Sequence, residues 1–235
     1  MNIYEVPMNE RMRLFMRLEQ LFNRIDHALL GQSPLDMQTS IMLILDLYTL
    51  NTRTDVKRDL LKELDRQNQL GSNHQSLIDE LHGMRGQANN HLKENEFITG
   101  IRQRSAATSF LSTTDLVAFD HWLKQPVDQI RESMKGWLAP YSPIREAVTE
   151  LLVATRRSGE LVDYVGNEGF FQCSLDGSNP PMMLRIMLDK SHEMYPEVSA
   201  GKLRVSMRWI QFDSPDIRGK QTELDIPFQM QICPN

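Results

Sequence analysis

The sequence predicts an α+β protein, with an N-terminal all-helical domain over residues 1–158 followed by a C-terminal antiparallel β-strand domain over residues 159–235. Two observations carry that reading. Up to about residue 158 the apolar residues recur at steps of three and four, and beyond about 160 they alternate at period two. Turn clusters such as Asp176-Gly-Ser-Asn-Pro-Pro and Ser214-Pro-Asp separate the alternating segments, as expected of strands that run antiparallel.

In the first predicted helix Met8, Met12, Phe15, Leu18, Phe22, Ile25 and Leu29 form one apolar stripe, with Pro7 before it and Gly31 after it. Ser33-Pro34 supplies an N-cap and an N1 proline for a second helix. Its run from Ile41 to Leu45, continued by Leu47, leaves little polar face, so it is expected at the centre of the helical part. Thr54 is expected to cap a third helix, Asp55 to about Leu70, with Leu60, Leu61 and Leu64 on its apolar edge. Residues 73–94 are more polar, anchored by Leu77, Ile78, Leu81 and Met84 and weakened by Gly83 and Gly86. A short helix is expected over Phe97–Ile101, ending at Arg102-Gln103-Arg104, and Ser105–Ser109 reads as a loop. Thr114 is expected to cap Asp115–Lys124, which Pro126 stops. Val127–Leu138 and Ile144–Arg157 complete the helical part, the last entered through Ser142-Pro143.

Four strands are expected beyond Gly159. Phe171, Cys173 and Leu175 form one inward set, and Leu184, Ile186 and Leu188 the next. Leu203, Val205, Met207 and Trp209 form a third, and Leu224, Ile226, Phe228, Met230 and Ile232 the last. Pro227 marks an edge or a bulge, because it cannot donate to a ladder.

A chain of 235 residues with net charge −5, 24% charged and 40% hydrophobic has the composition of a soluble globular protein and not of a disordered one. The longest apolar run, Ile41–Leu45, falls far short of the roughly 20 residues that span a bilayer. The N-terminal residues lack the basic, apolar and small-residue zones of a secretory signal, so the expected compartment is the cytoplasm. Cys173 and Cys233 form no CxxC and signal neither a disulfide framework nor a zinc knuckle. No P-loop, GxGxxG, GxSxG, HExxH or EF-hand pattern occurs, and the six histidines lack metal-ligand spacing. No cofactor and no metal site is therefore expected, and the chain reads as a non-enzyme, an enzyme with a dispersed site being the reading that sequence leaves beside it.

The arginines are the informative feature. Arg204, Ser206 and Arg208 project from one face of a strand whose other face is Val205, Met207 and Trp209. Arg185 occupies the matching polar face of the preceding strand if the two pair in simple register. Guanidinium forks suit carboxylates and phosphates, so two or three of them on an open sheet face would make an anion-recognition surface. A solvated face with local Asp or Glu partners accounts for the same pattern equally well. Arg13 and Arg17 lie four apart on the first helix, and Arg102 and Arg104 end another. A net charge of −5 argues only against generalised nucleic-acid binding.

Beyond these patterns, several segments resemble one family. Pro7-Met-Asn-Glu-Arg-Met-Arg13 with Arg17-Leu-Glu19, Leu60-Leu-Lys-Glu-Leu-Asp-Arg-Gln67, Ile101-Arg-Gln-Arg104 and Gly169-Phe-Phe-Gln172 are similar to the bacterial cell division protein ZapD family. So is the stretch from Leu184-Arg185 to Tyr195-Pro196, through Ser199, Gly201 and Lys202 to Arg204 and Arg208. The resemblance covers nearly the whole chain in matching order. It implies a helical domain followed by a β domain and a cytoplasmic homodimer at the mid-cell division ring. It also implies a partner, the C-terminal tail of the tubulin-like protein FtsZ, whose protofilaments a two-site dimer would crosslink into bundles. Carried onto matching positions, it makes Arg17, Arg204 and Arg208 tail-contacting candidates, with Arg102, Arg104, Lys202 and Arg185 as members of the same patch. Glu96 and Asp120 stand where relatives can carry Arg and His, and are left out of that set. The second reading, an RNA- or phosphometabolite-binding regulator, would use the same sheet face for phosphates and would call for aromatic rings beside the arginines.

Overall fold

The computed structural model describes residues 1–53, 55–84, 92–108 and 114–234. Helices occupy residues 10–157 and are followed by antiparallel strands, so the α+β reading holds. The chain divides into two compact units, Arg17–Leu151 and a second made of Met1–Met16 with Leu152–Asn235. The strand-bearing unit is thus assembled from both ends of the chain.

In the helical unit and its flanks, α1 (Glu10–Leu29) and α2 (Pro34–Arg53) start as the sequence requires. Asn9 Oδ1 accepts the Met12 N–H at 2.8 Å, and a reciprocal box joins Ser33 to Asp36, whose Oδ2 accepts the Ser33 N–H at 3.0 Å while Ser33 Oγ accepts the Asp36 N–H at 3.2 Å. The Ser33 hydroxyl also donates to that carboxylate at 2.8 Å, and together with the Ser33 N–H it holds the Asp36 acid below its usual value. Phe15, Leu18, Ile25, Ile41, Ile44 and Leu47 are fully buried, which makes α1 and α2 the main contributors to the helical core. The third helix, α3 (Val56–Gln69), is capped by Asp55, whose side chain accepts the Arg58 N–H; the expected cap Thr54, like Gly86 and Ser109, lies outside the described residues. Then follow α4 (Gln75–Gly83), α5 (Glu96–Thr108), α6 (Val117–Leu123), α7 (Val127–Leu138), a 3₁₀ turn over Ala139–Tyr141, and α8 (Ser142–Arg157).

Three helix expectations need correction. Residues 105–108 continue α5 instead of forming a loop: Asn95 Oδ1 caps the helix through the Ile98 N–H at 3.0 Å, and the small residues at its end, two of them alanines, favour helix though they leave no apolar stripe to read. Helix α6 starts at Val117, with Leu116 and not Thr114 at its N-cap position. Ser142 does not cap α8, because the 3₁₀ turn runs directly into the helix; its hydroxyl instead donates to Glu146 Oε1 at 3.1 Å.

The strand-bearing unit holds two four-stranded sheets. One has the order β1 (Asn2–Pro7), β4 (Met183–Leu188), β8 (Ile226–Cys233), β2 (Leu161–Gly166). The other has the order β3 (Phe170–Ser174), β6 (Arg204–Gln211), β5 (Met194–Ala200), with β7 (Lys220–Gln221) also on β6. Every pairing among these strands is antiparallel. Ile186 and Leu188 of β4 and Ile226, Phe228 and Met230 of β8 pack with Met207 and Trp209 of β6, so the sheets enclose one core face to face. The chain passes from one sheet to the other at Asn167–Phe170, where Glu168 and Gly169 both have positive φ (49° and 70°). Gly169 is required there, because a Cβ would run into the Thr222 carbonyl.

Strands β1, β2, β5 and β7 have no clear period-two pattern, and the sequence reading did not include them. Segments 2–7 and 194–200 each contain a proline, and β2 places Val162 and Val165 on opposite faces. Leu203 and Leu224, expected inside, are 67% and 61% exposed, because β6 and β8 begin after them. Pro227 sits in a strand with neighbours on both sides, yet β4 pairs only with Gln229–Cys233, so the missing N–H falls where β8 has one neighbour.

Candidate functional site

The outer face of the β3–β6–β5 sheet is built as period two requires. Val205, Met207 and Trp209 of β6 are buried to within 1% of completely, and Arg204 and Arg208, which alternate with them, are exposed. Cross-strand register turns these alternations into transverse rows. Phe170, Arg208 and Glu197 form one row; Gln172, Ser206 and Ser199 the next; Ser174 and Arg204 the third. Gly201 adjoins the third row, its N–H donating to the Arg204 carbonyl at 2.9 Å, and brings Lys202 beside it.

Two shallow hollows lie along this face and share Ser199 and Ser206. One of about 380 Å³ is bordered by Phe170, Glu197 and Arg208, and one of about 700 Å³ by Ser174, Gly201, Lys202 and Arg204. The two ends differ electrostatically. Arg208 Nη2 donates to Glu197 Oε2 at 3.0 Å, whereas Arg204 and Lys202 have no ion-pair partner among the described residues. The Arg208–Glu197 pair is open to water on both sides, where such pairs contribute about 0–1 kcal/mol. Arg204 and Arg208 on a backbone-paired strand, with Lys202 in the turn before it, can take up carboxylates or phosphates of an extended ligand.

Arg185 is not part of this face. The expectation that its strand pairs with the Arg204 strand fails: β4 belongs to the other sheet, between β1 and β8. There Glu5, Arg185 and Gln231 form a row in register. Glu5 Oε1 accepts from Arg185 Nε at 3.0 Å and from Arg156 Nε at 2.9 Å, and its Oε2 accepts from Arg156 Nη2 at 2.8 Å. Arg185 Nη1 also donates to Gln231 Oε1 at 2.8 Å and to the Arg156 carbonyl at 3.1 Å, and Gln231 Nε2 donates to the Ser158 carbonyl at 2.7 Å. Burial pushes the Glu5 acid up, but the hydrogen bonds and charges of Arg156 and Arg185 outweigh it and hold the group below its ordinary value. This cluster ties the end of α8 to the sheet.

The remaining candidates belong to the helical unit. Arg17 is exposed on α1. Arg102 lies with its guanidinium carbon 4.8 Å from the Tyr48 ring centroid, a cation–π contact, and its Nε is buried without a hydrogen-bond partner among the described residues. Arg104 is exposed two residues further along α5. Sequence reasoning missed Phe170 and Glu197. Phe170 falls in phase with the polar Gln172 and Ser174 of β3, which is a usable signal; Glu197 sits in a strand with no alternation to read.

Fold and face together define an α+β protein with an open, cation-bearing sheet surface, and no helix among the described residues is long and apolar enough to cross a membrane. A family model described as cell division protein, ZapD, matches residues 16–72 and 68–208. A cell division protein ZapD of Ralstonia pickettii is 34% identical over 255 residues, covering 99% of each chain, and that of Ralstonia nicotianae is 34% identical over 254 residues with the same coverage. The ZapD of Aromatoleum aromaticum is 31% identical over 248 residues, 98% of this chain and 96% of its own. The chain belongs to the ZapD family of cell division proteins, and its role lies in cell division.

Proposed function

We propose that this chain is a non-catalytic, dimeric crosslinker at the mid-cell division ring, and that it binds the C-terminal tail of FtsZ through the outer face of the β3–β6–β5 sheet. The observation that carries this reading is the placement of Arg204 and Arg208 on one exposed face, four residues and so about 13 Å apart along β6, with their alternates locked in the core. An extended acidic segment could meet both cations along the strand. Arg17, Arg102 and Arg104 of the helical unit are a second, separately testable part of the reading. Arg185 is read as structural, because its Nε and Nη1 are committed to Glu5, Gln231 and a backbone carbonyl.

The mechanism is physical and needs no chemistry. A disordered tail that orders on binding binds weakly for the area it buries. A dimer engaging two tails of one filament bundle makes the second event intramolecular, which raises avidity by about 10² to 10⁴ over one site. Co-sedimentation with FtsZ polymers, intact and tail-deleted, tests the reading: intact polymers carry the protein into the pellet as bundles and tail-deleted ones do not. Equal pelleting with both rejects the tail as the partner, and a monomer by light scattering at micromolar concentration rejects crosslinking.

One observation favours the phosphate-binding alternative. Phe170, 43% exposed beside Arg208, offers a ring on which a base could stack. It is a single ring in a chain of net charge −5, and titration with a single-stranded oligonucleotide decides between the two.

A further inference from the structure

Arg204 and Arg208 differ in one respect that the alternation of β6 does not anticipate. Arg208 faces Glu197 across the β5–β6 pairing and holds its carboxylate at 3.0 Å, while Arg204, two rows away on the far side of Ser206, has no such partner among the described residues. The pair closes one end of the hollow bordered by Phe170 and leaves the Lys202–Arg204 end open. Both strands are fixed by their ladders, so Glu197 cannot withdraw by moving its backbone; only its side chain, which is 39% exposed, can swing out to water.

We infer that Glu197 is a specificity-determining residue of the sheet face, occupying on Arg208 the place of a ligand carboxylate until a ligand displaces it. This rests on the proposed function of that face and adds an order of events to it. A carboxylate-bearing segment engages Arg204 and Lys202 unopposed. It gains Arg208 only by exchanging one carboxylate for another. A ligand whose second anionic group is missing or misplaced therefore obtains nothing from Arg208, because Glu197 satisfies that guanidinium already. The internal carboxylate filters ligands by the spacing of their charges, since an exposed cation without it would attract any nearby anion.

The test is a double-mutant cycle read by fluorescence anisotropy with a labelled FtsZ tail peptide, using the full-length protein. Glu197→Gln keeps the shape and removes the competing charge. It is expected to tighten tail binding about two- to fivefold, the range set by the modest strength of an exposed pair. The same substitution made in Arg208→Ala protein, titrated to millimolar peptide, is expected to give no gain, because there is no guanidinium left to release. A gain that persists in the Arg208→Ala background would overturn the inference in favour of a general charge effect. So would Glu197→Gln protein that binds like wild type or more weakly. Either result, with wild type binding the tail, leaves the proposed function standing. Failure of wild type itself to bind the tail overturns both.

Discussion

Two rows of charged residues cross the two sheets of the strand-bearing unit, and they are made of nearly the same parts. On one sheet Glu5, Arg185 and Gln231 lie in register; on the other, Phe170, Arg208 and Glu197. In the first row the arginine side chain is 16% exposed, shares its carboxylate with a second arginine, and spends further donors on a backbone carbonyl and a glutamine. In the second the arginine is 56% exposed and has a single side-chain partner among the described residues, one that water can replace. An Arg–Glu pair across two strands is thus a buried fastener or an exchangeable surface contact according to how many of its donors the protein itself consumes. The residue types alone do not distinguish the two.

The most damaging test of that contrast is the pair Arg204→Ala and Arg208→Ala. The charge-assisted hydrogen bond of Arg204 contributes about 1.5–3 kcal/mol, roughly a ten- to hundredfold change in tail affinity, Arg208 adds less because it exchanges Glu197 for the ligand, and on the proposed dimeric reading losing both from each protomer removes the avidity as well. Bundling in co-sedimentation should disappear while circular dichroism and melting stay as in wild type. A folded double variant that still bundles would move the site to the helical unit, with Arg17 the first candidate. Trp209→Ala, on the same strand but pointing inward, should do the reverse. Emptying a fully buried indole costs about 3–5 kcal/mol, so thermal unfolding of this unit should shift sharply downward.

On the other sheet, Glu5→Gln should cost about 1–3 kcal/mol in chemical denaturation, because two half-buried guanidinium groups lose their counter-charge. The loss should depend on pH with a definite sign. The Glu5 acid is held below its ordinary value near 4.5, so its contribution is fully present above that value and disappears as pH falls through the lower value of the folded state. The gap between wild type and variant should therefore be widest at neutral pH and close in acid. A gap independent of pH would mean that the cluster is held by packing alone. Smallest of all, Arg185→Ala protein that remains folded should bind the tail like wild type, a difference within twofold by anisotropy.

The same contrast explains how much of the molecule could be read in the sequence. Wherever one face is buried and the other wet, as in α1 and β6, the period was legible, and with it the face that carries Arg204 and Arg208. Where a strand is short or carries a proline, as in Asn2–Pro7 and Met194–Ala200, alternation is lost, and with it two of the neighbours that decide an arginine's role. Glu5 and Glu197 lie in those two strands. The simple register that would set Arg185 beside Arg204 fails for this reason: β5 lies between β4 and β6 in the chain, and strand order, a long-range property, puts β4 in the other sheet. Fold class survived these omissions because it depends only on the change of period near residue 160.

Strand β1 has a consequence for how the protein is made. Glu5 and its partner Arg185 are 180 residues apart in the chain. Synthesis at roughly 5–20 residues per second therefore holds the first strand without its neighbour for on the order of 10–40 seconds. The residues of the helical unit, 17–151, emerge during that interval. The waiting segment is an unpaired strand, the kind of edge that recruits other chains, and it is short, charged at Glu5 and ended by Pro7, features that discourage such pairing. The strand-bearing unit therefore completes its sheets only once β4 and β8 have been made, and a chain cut short before β4 would leave β1 with no strand to pair with.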